Sequence, residues 1–181
     1  MKKFLLLFVG LSLIPMSAFA HGPSPQKVVK EIVIKSEPAK VWSLVKDFAA
    51  IGKWHPDVVS VKIDTRPDAE TGAELLHREV ILKNGNGFLE KLREVNDASM
   101  KVDYKMLESK ESTIPVSNYR TVMQVKAGTT PQESILTITA RFYNKANSME
   151  APPGLDNPTA NKAINELYDA AMVGLKKSLE N

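Results

Sequence analysis

The chain contains no cysteine. That excludes a disulfide framework, a thiol nucleophile, a cysteine-held zinc or iron–sulfur cluster, and haem attachment through CxxCH. Histidine is scarce, at three residues. His21, as a mature N-terminus, carries an amine and an imidazole that suit copper, but a copper brace needs a second histidine. The spacing of His55 and His77 offers neither a helical i, i+4 pair nor another metal signature, so no metal or cofactor is expected. Charge of one sign is lacking too: 24 Lys+Arg meet 21 Asp+Glu, a net +3, scattered in both signs as on a solvated surface. A nucleic-acid partner, which wants a dense basic stripe, is not expected.

Long apolar runs are also missing beyond the first residues. Lys2 and Lys3 precede an apolar Phe4 to Ile14, and Ala18-Phe19-Ala20 fits the small-x-small cleavage rule. That run, broken by Pro15, is too short for a hydrocarbon core that needs about 20 residues. Residues 1–20 are therefore expected to be a signal peptide and residues 21–181 one domain, periplasmic, with no membrane anchor after cleavage. Losing two lysines lowers the net charge from +3 to +1. With no disulfide, stability must come from a hydrophobic core, and a domain of this size buries roughly 70% of its unfolded surface.

What is present is a change of periodicity. Val28 to Lys35 is β-branched and reads as a first strand, stopped by Ser36-Glu37-Pro38. Val41, Trp42, Leu44, Val45 and Phe48 follow at helical spacing, predicting a short helix that ends near Ala50. Ile51 to Pro56 reads as a loop, with Gly52 and Pro56 as breakers. Period two then takes over. Val59, Val61 and Ile63 alternate with polar residues, and Arg66-Pro67-Asp68 turns the chain. Leu75 to Leu82 and Phe88 to Val95 flank the hairpin signal Asn84-Gly85-Asn86-Gly87. Met100, Val102, Tyr104 and Met106 alternate strictly, and Tyr119 to Val125 and Ile135 to Tyr143 complete the set. Tight turns between such strands imply an antiparallel meander. After a Pro/Asn-rich stretch, Asn157-Pro158 reads as the cap and first turn of a long helix. Its apolar stripe is Ile164, Leu167, Ala171, Leu175 and Leu179. The fold class is α+β: a curved antiparallel sheet of six to seven strands around a long C-terminal helix.

Ala39-x-Val41-Trp42-x-Leu44-x-x-Asp47-Phe48, then Ile51-x-x-Trp54-x-Pro56, and later Pro115-Val116-x-Asn118-Tyr119-Arg120 resemble the START-like, polyketide cyclase/dehydrase (SRPBCC) superfamily. The resemblance covers essentially the whole chain after the leader and implies a helix-grip fold, in which sheet and helix enclose a ligand cavity. Ala20-His21-Gly22-Pro23 and Gln26-Lys27-Val28 further resemble the MxaD family of periplasmic accessory proteins of methanol oxidation. That resemblance implies a helper of a pyrroloquinoline quinone methanol dehydrogenase in its interaction with a c-type cytochrome. Lacking cysteine and any redox-cofactor motif, the chain would help by docking, assembly or delivery rather than by carrying electrons.

The resemblance places Trp54 and His55 at the rim of the cavity mouth. The structural alternative is a Trp plugging the open end of the sheet with a solvated His55 beside it. His77 and Glu79 share a strand face with Leu75 and Ile81; Phe88, Glu90 and Leu92 share another. If those faces turn inward, His77, Glu79 and Glu90 point into the cavity, and a desolvated carboxylate needs a partner, with Arg141 and Arg120 as candidates. Leu76, Val80 and Leu82 make an equally apolar opposite face, so both parities stay open. Tyr104 and Tyr119 lie on the more apolar side of their strands, where a phenol lines a pocket or packs in a core. The Asn-Gly hairpin is no phosphate loop, because both flanks are strands. No serine has a G-x-S-x-G setting. Three functions follow in order: a non-enzymatic accessory of methanol oxidation; a carrier of a small hydrophobic or quinone-like ligand; and a cyclase- or hydrolase-like enzyme, which requires at least two of His77, Glu79, Glu90 and Arg141 to converge.

Overall fold

Proline, glycine and asparagine mark where the chain changes direction. The computed structural model describes residues 23–180; the expected signal peptide, its cleavage site and His21 lie outside them. Strand β1 (Gln26–Ile34) leads to helix α1 (Pro38–Val45), which opens on Pro38, where the missing N–H has no helical partner to lose. The helix ends earlier than its apolar spacing predicts. Asp47 accepts the Ala49 N–H at 3.1 Å and starts a separate 3-10 turn, Phe48–Ala50. Ile51–Trp54, expected as loop, is one α-helical turn, α2. Ile51 and Trp54, three residues apart, are both buried, and the His55 N–H closes the turn on the Ile51 carbonyl at 2.9 Å.

Six further strands follow: β2 (Val58–Pro67), β3 (Glu74–Leu82), β4 (Gly87–Asn96), β5 (Lys101–Met106), β6 (Val116–Ala127) and β7 (Ser134–Asn144). They form one seven-stranded sheet in the order β1-β7-β6-β5-β4-β3-β2, and every neighbouring pair is antiparallel. The β3–β4 hairpin turns where expected, with Gly85 at φ +82°. Gly87 opens β4 because a Cβ there would sit 2.7 Å from the Val80 carbonyl. Two expectations fail at the margins. The alternation of Val59, Val61 and Ile63 buries little, because β2 is an edge strand and leaves Val59 59% and Ile63 43% exposed. Met100 belongs to the turn before β5, with φ +47°.

Helix α3 (Asn157–Leu179) crosses the inner face of the sheet and packs on β1, β7 and α2. Its cap is Asp156, one residue before the expected Asn157; the Asp156 carboxylate accepts the Thr159 N–H at 3.0 Å. Asn157 instead accepts from Asn144 Nδ2 at 2.8 Å, tying the helix start to β7. Ile164, Ala171, Leu175 and Leu179 are buried as the stripe predicts, and Tyr168 and Met172 join them. They meet Leu136, Ile138, Ala140 and Phe142 from β7. Gly174 lies where α3 crosses α2: a Cβ there would stand 1.8 Å from the Trp54 carbonyl oxygen. A glycine in a helix interior costs about 1 kcal/mol against alanine, and this close approach is what requires it.

Candidate functional site: the interior between sheet and helix

Strand parity decides what faces α3. In β3 the inner face is Arg78, Val80 and Leu82, and in β4 it is Phe88, Glu90 and Leu92; Arg78 and Glu90 are direct cross-strand partners. Both side chains are buried, 3% and 2% exposed, and Arg78 Nε donates to Glu90 Oε2 at 2.7 Å. The expected partners of Glu90, Arg141 and Arg120, are on the outer face instead. Arg120 Nε there donates to Asp103 at 2.9 Å, and Arg141 is exposed.

The guanidinium of Arg78 is held on every side. A terminal nitrogen donates to the Phe48 carbonyl at 2.9 Å, and its central carbon lies 4.2 Å from the Phe48 ring centroid and 4.6 Å from that of Tyr104. Burial opposes its charge, and Glu90 more than restores it, so its affinity for the proton is raised. Burial likewise pushes the Glu90 carboxyl above the usual carboxylate range, against the pull of Arg78. Beside this pair lies a hydroxyl cluster. Tyr119 donates to the Tyr168 oxygen at 3.0 Å, and Thr121 and Tyr168 share a bond at 2.9 Å. Tyr104 donates to Met123 Sδ at 3.1 Å. Burial raises the pKa of all three phenols, so they stay protonated and act as packed hydrogen-bond donors rather than bases.

Helix α2 closes one end of this interior. His55 Nδ1 accepts the Asp57 N–H at 3.2 Å, which leaves the proton on Nε2 to donate to the Leu167 carbonyl of α3 at 3.0 Å. Burial lowers the His55 pKa, with the Leu167 carbonyl acting in the opposite direction, so the ring is neutral at neutral pH. His55 is therefore a buried latch between α2 and α3, neither solvated nor free. Trp54 is buried beside it, and its indole Nε1 has no hydrogen-bond partner among the described residues.

Of the eight side chains singled out in the sequence, Trp54, His55, Glu90, Tyr104 and Tyr119 line one internal cavity together with Arg78, Phe88 and Tyr168. Its volume is only ≈ 20 Å³, about what a water needs. The ligand-sized chamber implied by the fold is filled by the ion pair and the rings around it. Outside it, at Leu167, begins a groove of ≈ 280 Å³ between the β3–β4 turn, Ile114-Pro115 and α3. His77, Glu79 and Arg141 do not converge with Glu90. His77 is on the outer face, where Nδ1 meets the Leu75 carbonyl at 2.9 Å; Glu79 faces Lys62 of β2 at 3.7 Å. The set required for an acid–base enzyme is split between the two faces of the sheet. Arg78, Tyr168 and Thr121 are missing from the sequence-derived set. The first two had signals, an arginine centred in the apolar face Leu76-Val80-Leu82 and a tyrosine one turn from Ile164 on the helix stripe, and Thr121 had none.

Comparison with known proteins fits this architecture. A search of curated proteins gives no match. Among solved structures, the protein XoxI from Bacillus cereus is 22% identical with a TM-score of 0.68, over 86% of this chain and 96% of its own. A START superfamily protein from Mycobacterium smegmatis is 14% identical with a TM-score of 0.63, over 85% and 97%. The Zhui aromatase/cyclase from a Streptomyces species is 13% identical with a TM-score of 0.69, over 87% and 94%. At such identities the likeness shows the helix-grip fold alone. The model of the family "Polyketide cyclase / dehydrase and lipid transport" matches residues 25–180, and the chain belongs to that family.

Proposed function

We propose that this chain is a non-enzymatic accessory protein of the periplasm that assists methanol dehydrogenase in its exchange with a c-type cytochrome, and that it works through its surface. The observation that carries the non-enzymatic part is the state of the interior. Every ionisable group there is committed: Arg78 to Glu90 and Phe48, Tyr119 to Tyr168, His55 to Leu167. A general acid or base needs reach to a substrate proton, and a space of ≈ 20 Å³ admits no substrate. The pathway is supported by the Ala20-His21-Gly22-Pro23 and Gln26-Lys27-Val28 resemblance, and the compartment by the leader of residues 1–20. The test is a clean deletion. Methanol-dependent cytochrome reduction in periplasm from the deletion strain should slow and recover on adding purified protein; an unchanged rate would refute the reading.

A second reading, a carrier of a small hydrophobic or quinone-like ligand, is favoured by one feature. Leu167 lines both the inner cavity and the outer groove of ≈ 280 Å³, and Trp54, whose indole N–H has no partner among the described residues, lines the inner one. A ligand that displaced Leu167 would join the two spaces and find a donor at their end. Native mass spectrometry of freshly isolated protein separates the readings: a stoichiometric bound compound supports the carrier, and an empty protein supports the accessory.

A further inference from the structure

The outer face of the sheet carries an arrangement that composition hides. Directly opposed cross-strand residues run Lys27–Arg141, Arg141–Arg120, Arg120–Lys105, Lys105–Lys91 and Lys91–His77. Opposed residues of an antiparallel pair share a face and stand about 5 Å apart. Five permanent cations therefore form one row from β1 to β4, about 19 Å long at the usual strand spacing. Like charges in direct opposition are unfavourable, so the row needs counter-charges, and it has them everywhere but at its β7–β1 end.

At the β4 end, Asp68 and Glu70 in the turn after β2 fold over the row. Lys91 pairs with Asp68 and, at 3.4 Å, with Glu70, while Lys105 meets Glu70 at 3.6 Å. The bond from Lys91 pulls the Asp68 carboxyl down to about 2, so this counter-charge is permanent. In the middle, Asp103 neutralises Arg120 and stands 3.6 Å from Arg93. At the β7–β1 end, the Arg141 and Lys27 residues are exposed and their side chains have no ion pair or hydrogen bond among the described residues. A trough of ≈ 470 Å³ runs along the row from this uncompensated end to Glu70, lined by Lys27, Arg141, Arg120, Arg93, Lys105 and Glu70. Tyr143 and Pro25 form its edge, and Val29, two residues along β1 from Lys27 on the same outer face, is 49% exposed.

We infer that this outer face, centred on Lys27 and Arg141, is a docking surface for an acidic protein. The inference rests on the reading of the chain as a protein that works by docking, and it names the surface and the charge of the partner. Three features select a protein over other anions. Arginine and tyrosine, present here as Arg141, Arg120 and Tyr143, are residues that protein interfaces favour. A row of about 19 Å is on the scale of a partner patch of about 800 Å². Glu70, 65% exposed in the same trough, repels a compact phosphate or a continuous anionic lipid surface, whereas a folded partner can set its acids over Lys27 and Arg141 and leave Glu70 to solvent.

The test uses the full mature chain and a fluorescein-labelled oligoglutamate peptide, read by anisotropy. Binding should be present at ~0.01 M ionic strength and weaken at ~0.15 M, where the screening length falls from ~30 Å to ~8 Å. The exposed pair change Lys27→Glu with Arg141→Glu should weaken it about tenfold, two attractions having become repulsions. The same net change on the helix side, Lys53→Glu with Lys162→Glu, should alter it less than about twofold. Glu70→Gln should strengthen binding. No binding at low salt, or equal losses in the two reversed pairs, overturns the inference. So does displacement of the peptide by inorganic phosphate, or retention on phosphatidylglycerol vesicles that is lost with the same two residues. Retention on immobilised methanol dehydrogenase and on its cytochrome tests the pathway separately. Peptide binding without retention on either column leaves the surface standing and removes methanol oxidation as its setting.

Discussion

Replacing Arg78 by methionine removes one half of an ion pair whose members are 3% and 2% exposed. The carboxylate of Glu90 is then buried among Phe88, Tyr104 and Tyr119 with no cation beside it. Breaking a buried pair from one side costs about 3–5 kcal/mol, and the Phe48 carbonyl loses its donor as well. In a domain of this size about 1 kcal/mol shifts Tm by roughly 2–4 °C, so Arg78→Met should lower Tm by roughly 6–20 °C. Removing both charges should behave differently. In Arg78→Met with Glu90→Leu the desolvation penalty disappears, and replacement of a buried pair by apolar groups is often neutral or favourable by about 1–4 kcal/mol. Against that stands the unpaired Phe48 carbonyl, worth about 1–3 kcal/mol. The double variant should therefore lie within about 3 kcal/mol of the parent, in either direction. Urea unfolding of the four proteins of this cycle measures the coupling, with m unchanged if only stability has moved. A double variant as unstable as Arg78→Met alone would refute the claim that the pair serves as a mutually neutralised plug of the interior.

Gly174→Ala gains about 1 kcal/mol of helix propensity but drives a Cβ to 1.8 Å from the Trp54 carbonyl, so it should destabilise by about 1–3 kcal/mol or more and shift tryptophan fluorescence. An unchanged urea midpoint would contradict the helix crossing. Tyr168→Phe deletes the oxygen that meets both Tyr119 and Thr121 and should cost about 1–3 kcal/mol, because both partners stay buried; a neutral outcome by the same assay would speak against the hydroxyl cluster. His55 has a folded pKa below 6.5 because of burial, so the unfolded chain takes up the proton first. Its contribution is complete above pH ~6.5 and is lost as pH falls below it. The stability difference between parent and His55→Gln should therefore shrink between ~pH 8 and ~pH 5; a constant difference would show that the latch does not titrate.

The elements most open to sequence reading were those buried on one face only. α3 and β7 show a clean stripe or clean alternation, and each forms as expected. β3 and β4 do not alternate, because their outer face is covered too: His77, Leu89 and Lys91 are as buried as Arg78, Phe88 and Glu90. With both faces buried, parity carries no signal, and the Arg78–Glu90 pair stayed hidden while His77, Glu79 and Arg141 stood as its rivals. Trp54, Tyr104 and Tyr119 were legible as interior aromatics, though their packing leaves far less room than the family implies. The basic row was invisible for another reason. Its members, Lys27, Lys91, Lys105, Arg120 and Arg141, are far apart in sequence, and only strand register brings them into line.

Surface, not interior, is the seat of function in this account, and one measurement separates them: methanol-dependent cytochrome reduction in a deletion strain carrying either of two folded variants. Arg78→Met with Glu90→Leu should restore the rate, and Lys27→Glu with Arg141→Glu should not. Restoration by the surface variant and failure of the interior variant would contradict it.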